Sequence, residues 1–127
     1  MLVVDAANVV GSRPTGWWRD RAGAAADLHL RLEAALAAGA LRRPVVMVLE
    51  GAARGGVPAG GGEELLVVHA AHSGDDEIVS VATRAVGDGL HVSVVTADRG
   101  LRERVERLGA DVLGPRWLLE RLDASSS

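Results

Sequence analysis

The chain contains no cysteine and no lysine; all 14 of its cations are arginine. Without cysteine there is no disulfide framework, no thiol nucleophile and no thiolate-ligated zinc, so any metal must rest on His, Asp or Glu and should be a hard one. Without lysine there is no Schiff-base chemistry and no Walker A phosphate loop, which needs its Lys. No apolar run approaches the roughly 20 residues that span a bilayer. The start, Met1-Leu-Val-Val-Asp5, lacks the basic and apolar regions of a secretory signal, so a cytoplasmic location and no membrane partner are expected. A net charge of -3 gives no general field for nucleic acid, and binding to one would have to rely on a local Arg patch or a metal.

What is present fits one globular domain. The 127 residues, 48% hydrophobic and 24% charged, are enough for one core and too few for two, with a single domain over 1–123 and a disordered tail over 124–127. Val-rich runs at Leu2 to Asp5, Pro44 to Glu50, Leu65 to Ala70 and His91 to Thr96 read as buried strands, with a short fifth at Asp111 to Leu113. Helical spacing recurs from Trp18 to Ala38, Asp75 to Val86, Arg99 to Leu108 and Pro115 to Leu122, with Gly39, Gly87 and Gly109 as stops. Buried strands alternating with helices give a mainly parallel sheet covered on both faces, with ligands beyond its carboxyl edge. The glycine-rich Gly51 to Gly62 is the one long irregular segment, either a site loop or a surface loop.

Several acids fall on that carboxyl edge: Asp5 and Glu50 at strand ends, Asp98 just beyond the fourth strand, and Asp75-Asp76 opening a helix. Brought within several ångströms, such groups repel and raise one another's pKa unless a cation neutralises them, which points to Mg²⁺ or Mn²⁺ and to phosphoryl transfer to water. Asp98 and Asp75 read equally well as helix N-caps. Asp5 is harder to explain structurally, because no helix is expected directly after it and an acid at the mouth of a central strand is costly without a partner. Glu50 and Asp76 rank second, and Asn8 sits in an expected irregular turn. His69 and His72 lack a helical zinc spacing and are not expected to bind metal. Ser73 and Thr96 read first as structural hydroxyls. Arg13, Arg19 and Arg21 form the best phosphate-contact patch, with Trp17 or Trp18 able to stack a base. Arg102, Arg104 and Arg107, alternating with Glu103 and Glu106, read as a solvated face.

Four segments taken in order, Leu2-Val-Val-Asp-Ala-Ala-Asn-Val-Val-Gly11, Val48-Leu-Glu-Gly-Ala-Ala-Arg54, Ser73-Gly-Asp-Asp-Glu-Ile-Val79 and Val95-Thr-Ala-Asp-Arg-Gly-Leu-Arg102, resemble the motifs of the NYN branch of PIN-like nucleases, and within it the YacP-like group. The resemblance implies a three-layer α/β/α PIN-like sandwich on a mainly parallel five-stranded sheet of order near 3-2-1-4-5. It also implies Mg²⁺- or Mn²⁺-dependent RNA hydrolysis by a metal-activated water. Carried over, Asp5, Asp75 and Asp98 are the metal carboxylates and Asn8 the site amide, with Asp76 and Thr96 as supporting groups; beside them Asp76 and Glu50 stay as second-rank metal ligands from their place on the edge. Substrate contacts fall to Arg13, Arg19, Arg21, Trp17, Thr96 and Arg99. The pattern departs at Ala6-Ala7, where the family usually carries a Gly-aromatic pair, and at Glu50, where Asp is common. RNA, single-stranded, is the expected partner, with a protein partner or self-association for targeting. The competing readings are a non-catalytic RNA- or protein-binding domain and a phosphohydrolase of nucleotides or small phosphate esters.

Overall fold

The two most apolar runs, Leu2–Asp5 (β1) and Val45–Leu49 (β2), are buried throughout and pair in parallel, with Asp5 opposite Val48. A computed structural model describes residues 1–125, in which these two strands form the middle of the sheet. Leu65–His69 (β4) joins the outer side of β2 and Ser93–Val95 (β5) the outer side of β1, both in parallel; Asp111–Leu113 (β6) closes the far edge beside β5. A two-residue strand, Gly60–Gly61 (β3), lies antiparallel to β4, so the order is β3-β4-β2-β1-β5-β6. The five parallel strands follow the expected order, and the sixth is the one addition.

Alternation along the strands divides the core into two layers. Val4, Val45, Met47 and Leu49 face Ala6–Gly11 (α1), Arg21–Ala37 (α2) and Pro115–Ser125 (α5), packing on Leu28, Leu32 and Leu118. Val3, Val46, Val48 and Val94 face Gly74–Gly87 (α3) and Arg99–Glu106 (α4), packing on Ile78, Ala82, Leu101 and Val105. The result is a three-layer α/β/α sandwich, as expected.

Four sequence expectations are corrected. A helix does start directly after Asp5: α1 runs over Ala6–Gly11, so Asn8 is helical and not in an irregular turn. The long helical period begins at Arg21, preceded by a separate 3₁₀ turn at Trp17–Arg19, because Asp20 caps α2 through its bond from the Gly23 N–H (2.8 Å). The glycine-rich segment is not a free loop. It forms a 3₁₀ turn over Gly51–Gly56 and then β3, and a Cβ on Gly56 would lie 2.0 Å from the Ala22 carbonyl of α2. That glycine serves close packing, which composition does not distinguish from flexibility. Finally, α5 reaches Ser125, so Ala124 and Ser125 of the expected tail are helical, while 126–127 lie outside the described residues.

Leu32 is fully buried against the sheet, whereas Leu30, on the same helix, is 65% exposed. Leu32→Ala should cost about 2–5 kcal/mol in urea unfolding and Leu30→Ala no more than about 0.5 kcal/mol. Equal losses would contradict the assignment of the core face of α2.

Candidate active site

Because β1, β2, β4 and β5 are parallel, their carboxyl ends meet at one edge, and the segments leaving them carry the acids. Asp5, Glu50, Asp75 and Asp98 line one open pocket of about 340 Å³, together with Asn8 and Ser73. Each is set in place by a local backbone reason. Asp5 is the N-cap of α1, accepting the Asn8 N–H at 3.4 Å through Oδ1. Asp98 is the N-cap of α4, accepting the Leu101 N–H at 2.9 Å. Ser73 caps α3 through the Asp76 N–H at 3.0 Å, which leaves Asp75 in the first helical turn without a capping task. Glu50 reaches across from β2, and its Oε2 accepts the Gly74 N–H at 3.0 Å. Three helix N-termini thus surround the pocket, and their partial positive charge favours the carboxylates they face.

Asp5 is only 5% exposed. Its Oδ2 accepts the Thr96 hydroxyl at 2.8 Å, and the same Thr96 oxygen accepts the Asp98 N–H at 3.1 Å. Asn8 adds a second tie, its Oδ1 accepting the Ala97 N–H at 2.9 Å. These bonds fix the β5–α4 connection, and with it Asp98, against the end of β1. Thr96, expected among the substrate contacts, is buried at 2% exposure with its hydroxyl already engaged twice, so it stands behind the site as a positioning residue.

Burial raises the Asp5 pKa from 3.8 to about 6; the Thr96 and Asn8 hydrogen bonds oppose the rise, and repulsion from Asp75 and Glu50 adds to it. The Asp75 pKa is also raised, first by desolvation and then by Asp98 and Glu50, with Arg104 opposing. The carboxylates therefore feel one another across the pocket. They are nevertheless not drawn together as expected: among the described residues, no three His, Asp or Glu side chains form a group that could hold a metal ion. Asp76 is turned away into an ion pair with Arg104 at 2.9 Å.

Of the expected phosphate contacts, Arg13 is bound to Asp123 of α5 (2.7 Å), which Arg31 also contacts, and lines clefts away from the acids. Arg21 and Trp17 line a second pocket that shares Ala7 and Glu50 with the acidic one. Arg19 lies over the exposed ring of Trp18 at 5.8 Å, and Arg99 is exposed in the first turn of α4. His69 Nε2 lies 2.7 Å from the Val57 carbonyl, a structural bond, whereas His72 lines the second pocket.

No family model and no curated protein sequence matches the chain. Solved structures do. The crystal structure of Rae1 (YacP) from Bacillus subtilis matches with a TM-score of 0.73 at 18% identity, over 99% of this chain and 75% of that one. A single-substitution variant of the same protein gives 0.71 at 19% identity, over 98% and 76%. The chain has the fold of Rae1 (YacP). The resemblance to the YacP-like group is thus borne out at the level of the fold, from end to end of the chain.

Sequence reasoning missed two features. Asp5-Ala-Ala-Asn8 is itself a helix start, an N-cap followed by two strong helix formers, which the strand reading of Leu2 to Asp5 obscured. The second is Gly74: a Cβ there would lie 2.9 Å from Glu50 Oε1, so any larger residue would push that carboxylate aside.

An acid whose pKa rises on folding binds its proton more tightly in the native state. Its contribution to stability is therefore complete below about pH 4 and is lost as pH rises through about 6. In EDTA, Asp5→Asn should be more stable than the wild type by about 1–3 kcal/mol near pH 8, with the gain vanishing towards about pH 4. Urea unfolding across that range checks it, and a difference independent of pH would contradict the buried-acid account.

Proposed function

We propose that the protein is a Mg²⁺- or Mn²⁺-dependent endoribonuclease whose reaction takes place over the acidic pocket. The observation that carries this reading is the convergence of Asp5, Glu50, Asp75 and Asp98 on one open pocket at the carboxyl edge of the sheet, two of them with raised pKa values. The fold and the four ordered motifs support it, since the nuclease family they resemble implies that chemistry at matching positions.

The donor set suits a hard divalent ion. It is made of carboxylate, amide and hydroxyl oxygens, the ligands such ions take, and no Arg lines the pocket to compete for them. Asp5, Asp75 and Asp98 line the pocket without standing close enough to form a ready ligand group; drawn inward, they would hold the ion, with Glu50 in support. Once bound, it would supply Lewis acidity at the phosphodiester and an activated water. The chain's own residues do the rest. Thr96 and the α1 N-terminus hold the Asp5 carboxylate in one orientation, and Asn8 keeps the Ala97–Asp98 turn from swinging out. Glu50 is tethered to Gly74, so it borders both the acidic pocket and its neighbour. Arg21 in the adjoining pocket and the exposed Arg99 next to Asp98 supply guanidinium forks suited to backbone phosphates, and the exposed Arg19 lies over Trp18.

Asparagine caps a helix as well as aspartate does, so Asp98→Asn should leave stability nearly unchanged while removing a carboxylate. A metal contributes several kcal/mol of charge stabilisation, so cleavage of single-stranded RNA should fall about a hundredfold or more in that variant and stop in EDTA. Side-by-side assays of identically purified proteins check this. Equal cleavage by both would overturn the assignment. RNA binding unaffected by EDTA and without turnover would favour a non-catalytic binding domain, and release of phosphate from nucleotides without RNA cleavage a phosphohydrolase.

A further inference from the structure

The second pocket has no part in holding an ion, but it opens beside the acids. Its volume is about 260 Å³, below the roughly 300–1,000 Å³ of pockets that take whole drug-sized ligands, and its lining is mainly apolar. The ring of Trp17 and the Arg21 guanidinium, 5.2 Å from its centroid, belong to one wall, while Ala6, Ala7 and Ala53 leave the interior open. Ala7 and Glu50 are common to this pocket and the acidic one, so the two adjoin.

The chain has few surfaces on which a flat ring could stack. It has no Phe and no Tyr, and of its three Trp residues two are placed otherwise. Trp117 packs on the main core with Arg121 over it at 4.0 Å, and Trp18 stands exposed, edge-on to Trp17 with ring centroids 6.2 Å apart. Trp17 alone combines half-burial, an open pocket and adjacency to the carboxylates. Arg21 makes no ion pair among the described residues, so its charge stays available to a phosphate next to whatever the pocket holds.

We infer that this pocket seats one unpaired nucleobase of the substrate strand, against Trp17, with Arg21 on an adjoining phosphate. The inference rests on the nuclease reading of the acidic pocket and adds a base subsite to it. Ala6 and Ala7 line the pocket with small side chains. A base enters only if it is not paired and stacked in a duplex, so the subsite selects single-stranded substrate. A charged guanidinium beside an aromatic ring and a neighbouring acidic pocket match a base joined to phosphates better than an apolar protein side chain, which would offer Arg21 no anion.

The test is NMR of the wild-type protein in EDTA, with adenosine 5′-monophosphate and ribose 5-phosphate as probes. The nucleotide should move the Trp17 indole and the Ala6, Ala7 and Ala53 methyl signals saturably and leave the Trp18 indole in place, while the sugar phosphate, which can reach only Arg21 over the Trp17 ring, leaves the alanine methyl signals unmoved. Trp17→Phe should retain the response. Ala53→Leu, which narrows the pocket while keeping the Trp17 ring and every acid in the chain, should abolish it, and so should Trp17→Ala. In Asp98→Asn protein with Mg²⁺, a short unpaired oligoribonucleotide should move the same signals at about a tenth of the nucleotide concentration or less. Equal concentrations would overturn the strand assignment in favour of a free nucleotide, and the same shifts with ribose 5-phosphate, or none with the nucleotide, would overturn the base pocket. In cleavage assays Trp17→Ala should raise KM about tenfold or more with kcat nearly kept, as loss of one stacked base implies. Base binding without cleavage would leave the subsite standing and remove the nuclease reading; cleavage indifferent to Trp17 and to Ala53→Leu would do the reverse.

Discussion

The hydrogen bond from Thr96 to the buried Asp5 carboxylate joins the two halves of the acidic edge. It links the end of the central strand to the end of its neighbour, and through the second bond on the same hydroxyl it reaches the Asp98 backbone. An acid at this depth is unfavourable when ionised, and two donors only partly relieve it. The sheet accepts that cost at the point where Glu50, Asp75 and Asp98 also gather. A group held against its own electrostatic preference, with like charges around it, is the arrangement in which a bound cation stabilises most.

Capping and chemistry are not competing explanations at this edge. Asp98 caps α4 with one oxygen and faces the pocket with its carboxylate, and Asp5 does the same for α1. The helix N-termini point at the pocket because right-handed parallel crossovers start every helix from the carboxyl edge. Capping thus fixes where these acids lie, and the shared pocket determines what they face. Asp75 differs, since Ser73 performs the capping and leaves that carboxylate to the pocket.

The strand runs, their parallel order and the helical faces were legible because burial on both sides writes itself as unbroken Val-rich segments, and the Leu28, Leu32 and Leu36 spacing marks one helix face. The placement of Asp5, Glu50, Asp75 and Asp98 on one edge followed from that order alone. Side-chain aim was not legible. Thr96 and Asp76 stand beside the site in sequence, yet one is buried behind it and the other is paired with Arg104. Arg13 is taken up by Asp123, a partner 110 residues away that no local pattern announces. The glycine-rich segment misled for a related reason: the close approach of Gly56 to Ala22 is a tertiary fact.

The central claim is that the acidic pocket receives a divalent cation through Asp5, and calorimetric titration of Mn²⁺ into the wild type and Asp5→Asn tests it without knowledge of the substrate. Saturable binding to the wild type that is lost in the folded variant is the expected result. No saturable binding to the wild type, or undiminished binding to Asp5→Asn, would contradict it.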